Sequence, residues 1–234
     1  MTPLRIFIGW DSREDIAYQV ARFSLLRHTS LPIDVQPIKQ VELREKGLYT
    51  RDTDPLASTE FTYTRFLTPY LAGYQGWAMF VDCDFVYTGD IAELFELCDP
   101  SKALMCVQHD HRPTETVKMD GAVQTSYPRK NWSSMTLYNC GHPANKVLTP
   151  ELVSRESGAF LHRFQWLSDD LIAGVPATWN WLEGSMEKPA NGKPPKAVHH
   201  TRGGPWFDNW QHVDYGDLWC RERDIYLASV GQLG

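Results

Sequence analysis

The sequence predicts a single α/β domain whose central sheet is flanked by helices, and three observations lead there. Short, bounded apolar runs recur at 5–10, 77–81 and 103–108, the pattern of buried strands, and 33–38 makes a further plausible strand. Segments with apolar residues at helical spacing lie between and after them. The 234 residues, 42% hydrophobic and 22% charged, suffice for one sizeable domain or two small ones of ordinary globular composition. The Pro/Gly/Lys-rich stretch 187–196 is the nearest thing to a linker, but too little chain follows it to make a second domain.

Residues 5–10 (RIFIGW) form the first expected strand, ending at Gly9-Trp10-Asp11. Ser12 is placed to cap a helix with Asp15 in its first turn, and Ile16, Val20, Phe23 and Leu26 share a face. Strand, short turn and capped helix make the opening unit of a nucleotide-binding half, with Asp11 at the strand end to meet a base or ribose, or simply to start the helix. A second strand is expected at 33–38 and a polar loop at 43–58. A helix is expected at 61–71, where Pro69 marks an end or a kink. Arg65 on that helix is either a surface residue, a phosphate ligand or a brace for a carboxylate.

Residues 77–81 read as a buried strand running into Asp82-Cys83-Asp84, and Thr88-Gly89-Asp90 opens an amphipathic segment. Beyond the strand at 103–108, the polar loop 109–130 is long enough to be a substrate lid. A strand at 133–139, helices at 150–160 and 161–167, and a helical segment opening at 168–172 follow. Strands are expected at 177–182 and 197–200, and a terminal amphipathic helix at 215–230.

Net charge of −6 argues against nucleic-acid binding through a basic surface. Five cysteines without a C-x-x-C pair favour free thiols and a cytoplasmic protein. The start MTPLRIFIGW lacks a signal-peptide core and no apolar run is long enough to span a bilayer, so any membrane contact would be peripheral. No P-loop and no G-x-S-x-G elbow is present.

Asp82 and Asp84 point the same way if the strand continues through them. Two carboxylates that close need a cation, a proton or water between them; the alternative is a solvated turn. The distant pair His199-His200 and Arg202 in a Gly-Gly turn add to a metal site with phosphate ligands. Carboxylates with an imidazole suit Mn²⁺ well and Mg²⁺ less well.

The segment from Asp82-Cys83-Asp84 through DI-A-E-L closely resembles the Asp-x-Asp segment of GT-A glycosyltransferases. The nearest likeness is to the retaining family 8 group, which includes glycogenin and bacterial lipooligosaccharide galactosyltransferases. The resemblance implies one Rossmann-like GT-A domain over 1–234 with a mixed central sheet. About 1–108 would bind the nucleotide-sugar and about 109–234 would face the acceptor. It implies Asp82, Asp84 and His200 as metal ligands, His200 opening H-T-R-G-G-P-W as a variant of the family's H-x-x-G-x-x-K-P-W. That turn is two residues short and lacks the Lys, for which Arg202 is the substitute, with Gly203 near the diphosphate.

By the same resemblance Asp11 contacts the base, with Tyr18 replacing the stacking aromatic, and Gly9, Arg65 and the Cys83 backbone complete the donor contacts. Ser133 takes the place of a sugar-binding Asn. Asp169 and Asp170, in a variant of the family's D-Q-D-x-L-N, stand at the sugar as catalytic residues. The expected activity is transfer of a sugar, with retention, from a nucleotide-sugar (UDP-linked first) to a glycan, lipid-linked sugar or protein. The alternatives are a non-catalytic nucleotide-sugar or glycan-binding protein and a sugar-1-phosphate nucleotidyltransferase. The acidic GWDSRED after the first strand disfavours the nucleotidyltransferase.

Overall fold

In the computed structural model, which describes residues 2–55, 57–110, 128–208 and 210–231, alternating strands and helices run through the first half of the chain. The order is β1 (Leu4–Gly9), α1 (Asp15–His28), β2 (Ile33–Ile38), α2 (Gln40–Glu45), α3 (Thr68–Leu71), β3 (Trp77–Val81), β4 (Phe85–Tyr87), α4 (Ile91–Phe95) and β5 (Leu104–Cys106). After it come β6 (Met135–Asn139), α5 (Pro150–Arg155), α6 (Gly158–His162), β7 (Ile172–Gly174), β8 (Trp181–Leu182), β9 (Ala197–His199) and α7 (Gly216–Gly231). The expected lid falls mostly on 111–127, outside the described residues.

The main sheet has the order β2-β1-β3-β6-β5-β7. β1 lies parallel to β2 and β3, while β6 runs antiparallel to both β3 and β5. The sheet is therefore mixed, and it draws strands from both sides of residue 108. β1 and β3 read as continuous apolar runs because Ile6, Ile8, Met79, Phe80 and Val81 are buried within it. Pro37 is tolerated because β2 is an edge strand, where a missing backbone donor costs no ladder bond.

A second, three-stranded sheet β4-β9-β8 follows directly from β3 through the Asp82-Cys83-Asp84 turn. Val20, Val86, Trp181, Val198 and Trp219 form its own small core, which fastens α1 and α7 to this sheet. The α1–α7 contact is reinforced at its edge by Arg27 and His28 on Glu222, at 3.0 and 3.2 Å.

Several local expectations are corrected. Ser12 does not cap α1: its hydroxyl bonds Glu60 at 2.5 Å, and the helix begins three residues later. The buried face of α1 is Ala17, Tyr18, Val20, Ala21, Ser24 and Leu25, with Leu26 exposed, because the helix packs between β4 and α7 rather than on one broad sheet face. Pro69 sits in the first turn of α3, where its missing N–H is harmless, so it starts a helical turn instead of ending one. Residues 43–58 begin inside the short helix α2. Residues 161–167 are helical only to His162, and 168–172 leads into strand β7, pairing with β5. Only Trp181–Leu182 of 177–182 is strand; a 3-10 turn at Ala177–Trp179 precedes it.

Gly9 is a packing position. A Cβ there would overlap the Phe61 ring, which closes the carboxyl end of β1. Gly9→Ala is therefore expected to cost about 1–3 kcal/mol through forced repacking. A urea unfolding midpoint equal to that of the unmodified protein would show that the ring yields freely.

Candidate active site

The site grows from the end of β3. Asp82 follows the last strand residue, and its backbone N–H donates to the Ser134 carbonyl at 2.9 Å, fixing the turn against the entry to β6. The chain turns at Cys83 and re-enters a strand at Phe85, so the two aspartates converge through a turn and not through strand alternation. β4 pairs antiparallel with β9, and that register sets Phe85 against His199. Their rings stack with centroids 4.3 Å apart. This brings His199 Nε2 to 3.3 Å from Asp84 Oδ2. One donor atom each from Asp82, Asp84 and His199 lies within 4.8 Å of the others.

The histidine in this group is His199, where the expected ligand was His200. Neighbouring residues of an extended strand face opposite ways, so pairing His199 with the carboxylate edge sends His200 to the other side. His200 is fully buried there, edge-on to Trp206 with ring centroids 6.0 Å apart. Burial lowers its pKa to about 4, against a partial opposing pull from Asp84. Its backbone still serves the site, donating to the Asp84 carbonyl at 2.9 Å.

Arg65 is the buried brace of the carboxylate pair. Its Nη1 lies 2.8 Å from Asp82 Oδ1 and donates to the Ser133 carbonyl at 2.9 Å. The guanidinium is sandwiched between Phe61 and Phe80, 5.2 and 5.1 Å from the ring centroids.

These groups open onto a cavity of about 410 Å³ that Arg65, Asp82, Cys83, Asp84, Ser133 and His199 line together. Lys130, Tyr63, His162 and Arg163 complete the wall on the side of α6. Ser133 Oγ is 2.8 Å from His162 Nδ1. Burial, then the nearby Arg65, Lys130 and Arg51 cations, lower the His162 pKa to about 3, so this imidazole is neutral at ordinary pH.

That shift has a sign that can be measured. A histidine whose folded pKa lies below its unfolded value of 6.5 leaves the unfolded chain binding the extra proton. Stability from His162 and His200 is thus complete above pH 6.5 and falls as pH drops toward 4 and then 3. His162→Gln is expected to flatten part of this slope in urea titrations at pH 7 and pH 5. An unchanged slope would show that His162 charges as freely in the folded protein as in the unfolded chain.

Several expected donor contacts stand elsewhere. Asp11 is fully buried, with Oδ1 accepting from Arg13 N and Nε at 3.0 Å and Oδ2 from Arg13 Nη2 at 2.9 Å and Glu60 N at 3.1 Å. Burial pushes its pKa up, but those hydrogen bonds and the Arg13 charge outweigh it and hold the carboxyl below its usual range. Tyr18 is on the buried face of α1 and Gly9 lies under Phe61. Arg202 forms a forked pair with Glu183, Nε to Oε2 at 3.1 Å and Nη2 to Oε1 at 3.0 Å, and Gly203 beside it has φ +129°. Asp169 and Asp170 are exposed, and Asp169 pairs with Arg129 at 2.5 Å. None of these residues is among those lining the cavity. Cys83 is buried, its thiol pushed up by burial and then by Glu14 and Asp84.

The donor set fits a divalent ion. Two carboxylates and an imidazole suit Mn²⁺ and, less well, Mg²⁺. Three protein ligands leave coordination positions for diphosphate oxygens and water.

No protein-family model matches the chain. Protein CDI of Arabidopsis thaliana is 60% identical over 227 residues, spanning 96% of this chain and 87% of that protein. Among solved structures, the WbbM bifunctional glycosyltransferase superposes with a TM-score of 0.66 at 15% identity, over 95% of this chain and 50% of that one. GlyE of Streptococcus pneumoniae TIGR4 gives 0.62 at 16%, over 97% and 63%. The galactosyltransferase LgtC, with donor and acceptor sugar analogues, gives 0.58 at 10%, over 94% and 95%. The chain thus spans half of WbbM and less than two thirds of GlyE. At these identities the likeness is one of fold, and that fold is the GT-A glycosyltransferase fold. No helix among the described residues is long and apolar enough to cross a membrane.

Proposed function

We propose, from the premise that this chain belongs to the family of Protein CDI and has a GT-A fold, that it is a metal-dependent glycosyltransferase. One observation carries the reading. Asp82, Asp84 and His199 converge at the carboxyl end of a central strand, on the wall of a cavity able to take a small molecule.

The donor is a nucleotide-sugar, UDP-linked in the first instance, and the chain acts as one domain whose first half holds the nucleotide. Mn²⁺ or Mg²⁺ held by Asp82, Asp84 and His199 would neutralise the departing diphosphate as a Lewis acid. Arg65 braces and aims Asp82. Lys130 and Arg163, which also line the cavity, would supply the positive charge that the short H-T-R-G-G-P-W turn lacks, since Arg202 is committed to Glu183. Ser133, held by His162, is placed to bind a hydroxyl of the sugar.

Transfer with retention, as in the family 8 group the sequence resembles, fits a front-face displacement. Among the described residues the carboxylates lining the cavity are Glu14, Asp82 and Asp84, and the last two are taken by the metal. The acceptor is a glycan, a lipid-linked sugar or a protein. All five cysteines are free, which supports a reducing, cytoplasmic setting.

The test is a panel of UDP- and GDP-sugars scored for slow hydrolysis with Mn²⁺, then with EDTA. Release of UDP from one or two donors, lost on chelation and restored by Mn²⁺, is expected. Full turnover in EDTA, or binding without any nucleotide release across the panel, would overturn the reading.

A further inference from the structure

We propose that Asn180 is a positioning residue for the metal centre: it holds the Nδ1 proton of His199, so that Nε2 is the ring nitrogen turned toward the two aspartates and offered to the ion. The proposal rests on the metal site described above and adds a residue that neither spacing nor family resemblance marks out.

The hydrogen bonds fix where the protons lie. Ser134 Oγ lies 2.7 Å from the Asn131 carbonyl oxygen. A carbonyl can only accept, so the serine proton points there. Toward Asn180, 2.9 Å away, Ser134 Oγ must therefore accept, and the amide NH₂ of Asn180 faces it. The other end of that amide, the carbonyl oxygen, then faces His199 Nδ1 at 2.9 Å. It too can only accept, so Nδ1 carries the ring proton. With Nδ1 committed to that proton, Nε2 is the ring nitrogen left to offer a lone pair to a cation, and it is the atom 3.3 Å from Asp84 Oδ2.

Nε2 is thus the ring nitrogen that faces the carboxylates, and one donor atom each from Asp82, Asp84 and His199 lies within 4.8 Å of the others, the arrangement a cation would join. Asn180 is fully buried, and Ser134 and His199 are nearly so, so water does not substitute for the relay. The same Ser134 accepts the Asp82 N–H through its carbonyl, so a single residue registers both ligand-bearing segments. Stacking on Phe85 fixes the plane of the His199 ring; Asn180 fixes the proton on Nδ1.

Two measurements on the full chain, without substrate, test this. Nitrogen-15 NMR of the metal-free protein is expected to show His199 Nδ1 carrying a proton in the wild type and in Asn180→Asp, which keeps an acceptor oxygen at Nδ1. Calorimetric titration with Mn²⁺ alone is expected to show affinity about 10–100-fold weaker in Asn180→Leu, with Asn180→Asp close to wild type. A wild-type ring with Nδ1 bare, or Mn²⁺ binding by Asn180→Leu at wild-type strength, overturns the assignment while leaving the metal reading intact. A wild type that binds no Mn²⁺ overturns both.

Discussion

Replacing Asp84 with alanine is expected to lower glycosyl transfer by at least about a hundredfold while leaving the metal-free fold intact. The carboxylate is the group at risk, because its Oδ2 faces His199 Nε2 at 3.3 Å and no other side chain stands there to replace it among the described residues. The backbone is not at risk: the Asp84 carbonyl still accepts from His200 N, and the β4–β9 pairing is unchanged. Removing one of two carboxylates from a three-ligand set also removes half of its formal negative charge, so Mn²⁺ affinity falls together with turnover. Parallel Mn²⁺ titration and donor-hydrolysis assays separate this from misfolding. The expected result is a metal-free melting temperature near wild type, a greatly raised Mn²⁺ Kd, and little nucleotide release even at saturating donor. Unimpaired transfer in Asp84→Ala would remove the metal from the mechanism.

The main strands were legible because their burial leaves a direct trace in the sequence. Runs such as 77–81 and 103–108 are bounded and apolar, and β3 and β5 fall within those residues. The Asp-x-Asp turn was legible for the same reason, as polar residues ending an apolar run. What was not legible depends on pairing between distant segments. His199 and His200 are equivalent in sequence, and only the antiparallel register of β9 on β4 decides which of them turns toward Asp84. Asn180 stands in a Trp-Asn-Trp run that alternates like an ordinary strand, and its partners Ser134 and His199 are 46 and 19 residues away. His162 ends a short helix with nothing in the local pattern to set it apart. Conversely, Asp11 and Arg202 looked free to meet a ligand: Asp11 is taken by Arg13 two residues on and by the distant Glu60 N–H, and Arg202 by Glu183 in the turn after β8, 19 residues away.

Arg65→Met is expected to be the most destabilising of these substitutions in the absence of metal, and metal should undo much of the damage. Arg65 and Asp82 are both largely buried, at 7% and 14% side-chain exposure, and meet at 2.8 Å. Methionine fills a similar volume between Phe61 and Phe80, so the loss is chiefly electrostatic: Asp82 loses the guanidinium it meets in a poorly solvated site. Breaking such a pair costs about 3–5 kcal/mol, which for a chain of this size lowers the melting temperature by on the order of 10 °C. A divalent ion at Asp82, Asp84 and His199 restores a positive charge to the same carboxylate. The variant should therefore bind Mn²⁺ at least as tightly as the wild type, and its melting temperature should rise more steeply with Mn²⁺ concentration, since stabilisation grows with the ratio of free ligand to Kd. Thermal unfolding across a Mn²⁺ series measures this directly, and the gap between variant and wild type is expected to close as the ion is added. A gap that stays constant at every Mn²⁺ concentration would mean that Arg65 and the metal do not share Asp82, and the carboxylate pair would then be a structural anchor for β3 and not a ligand set.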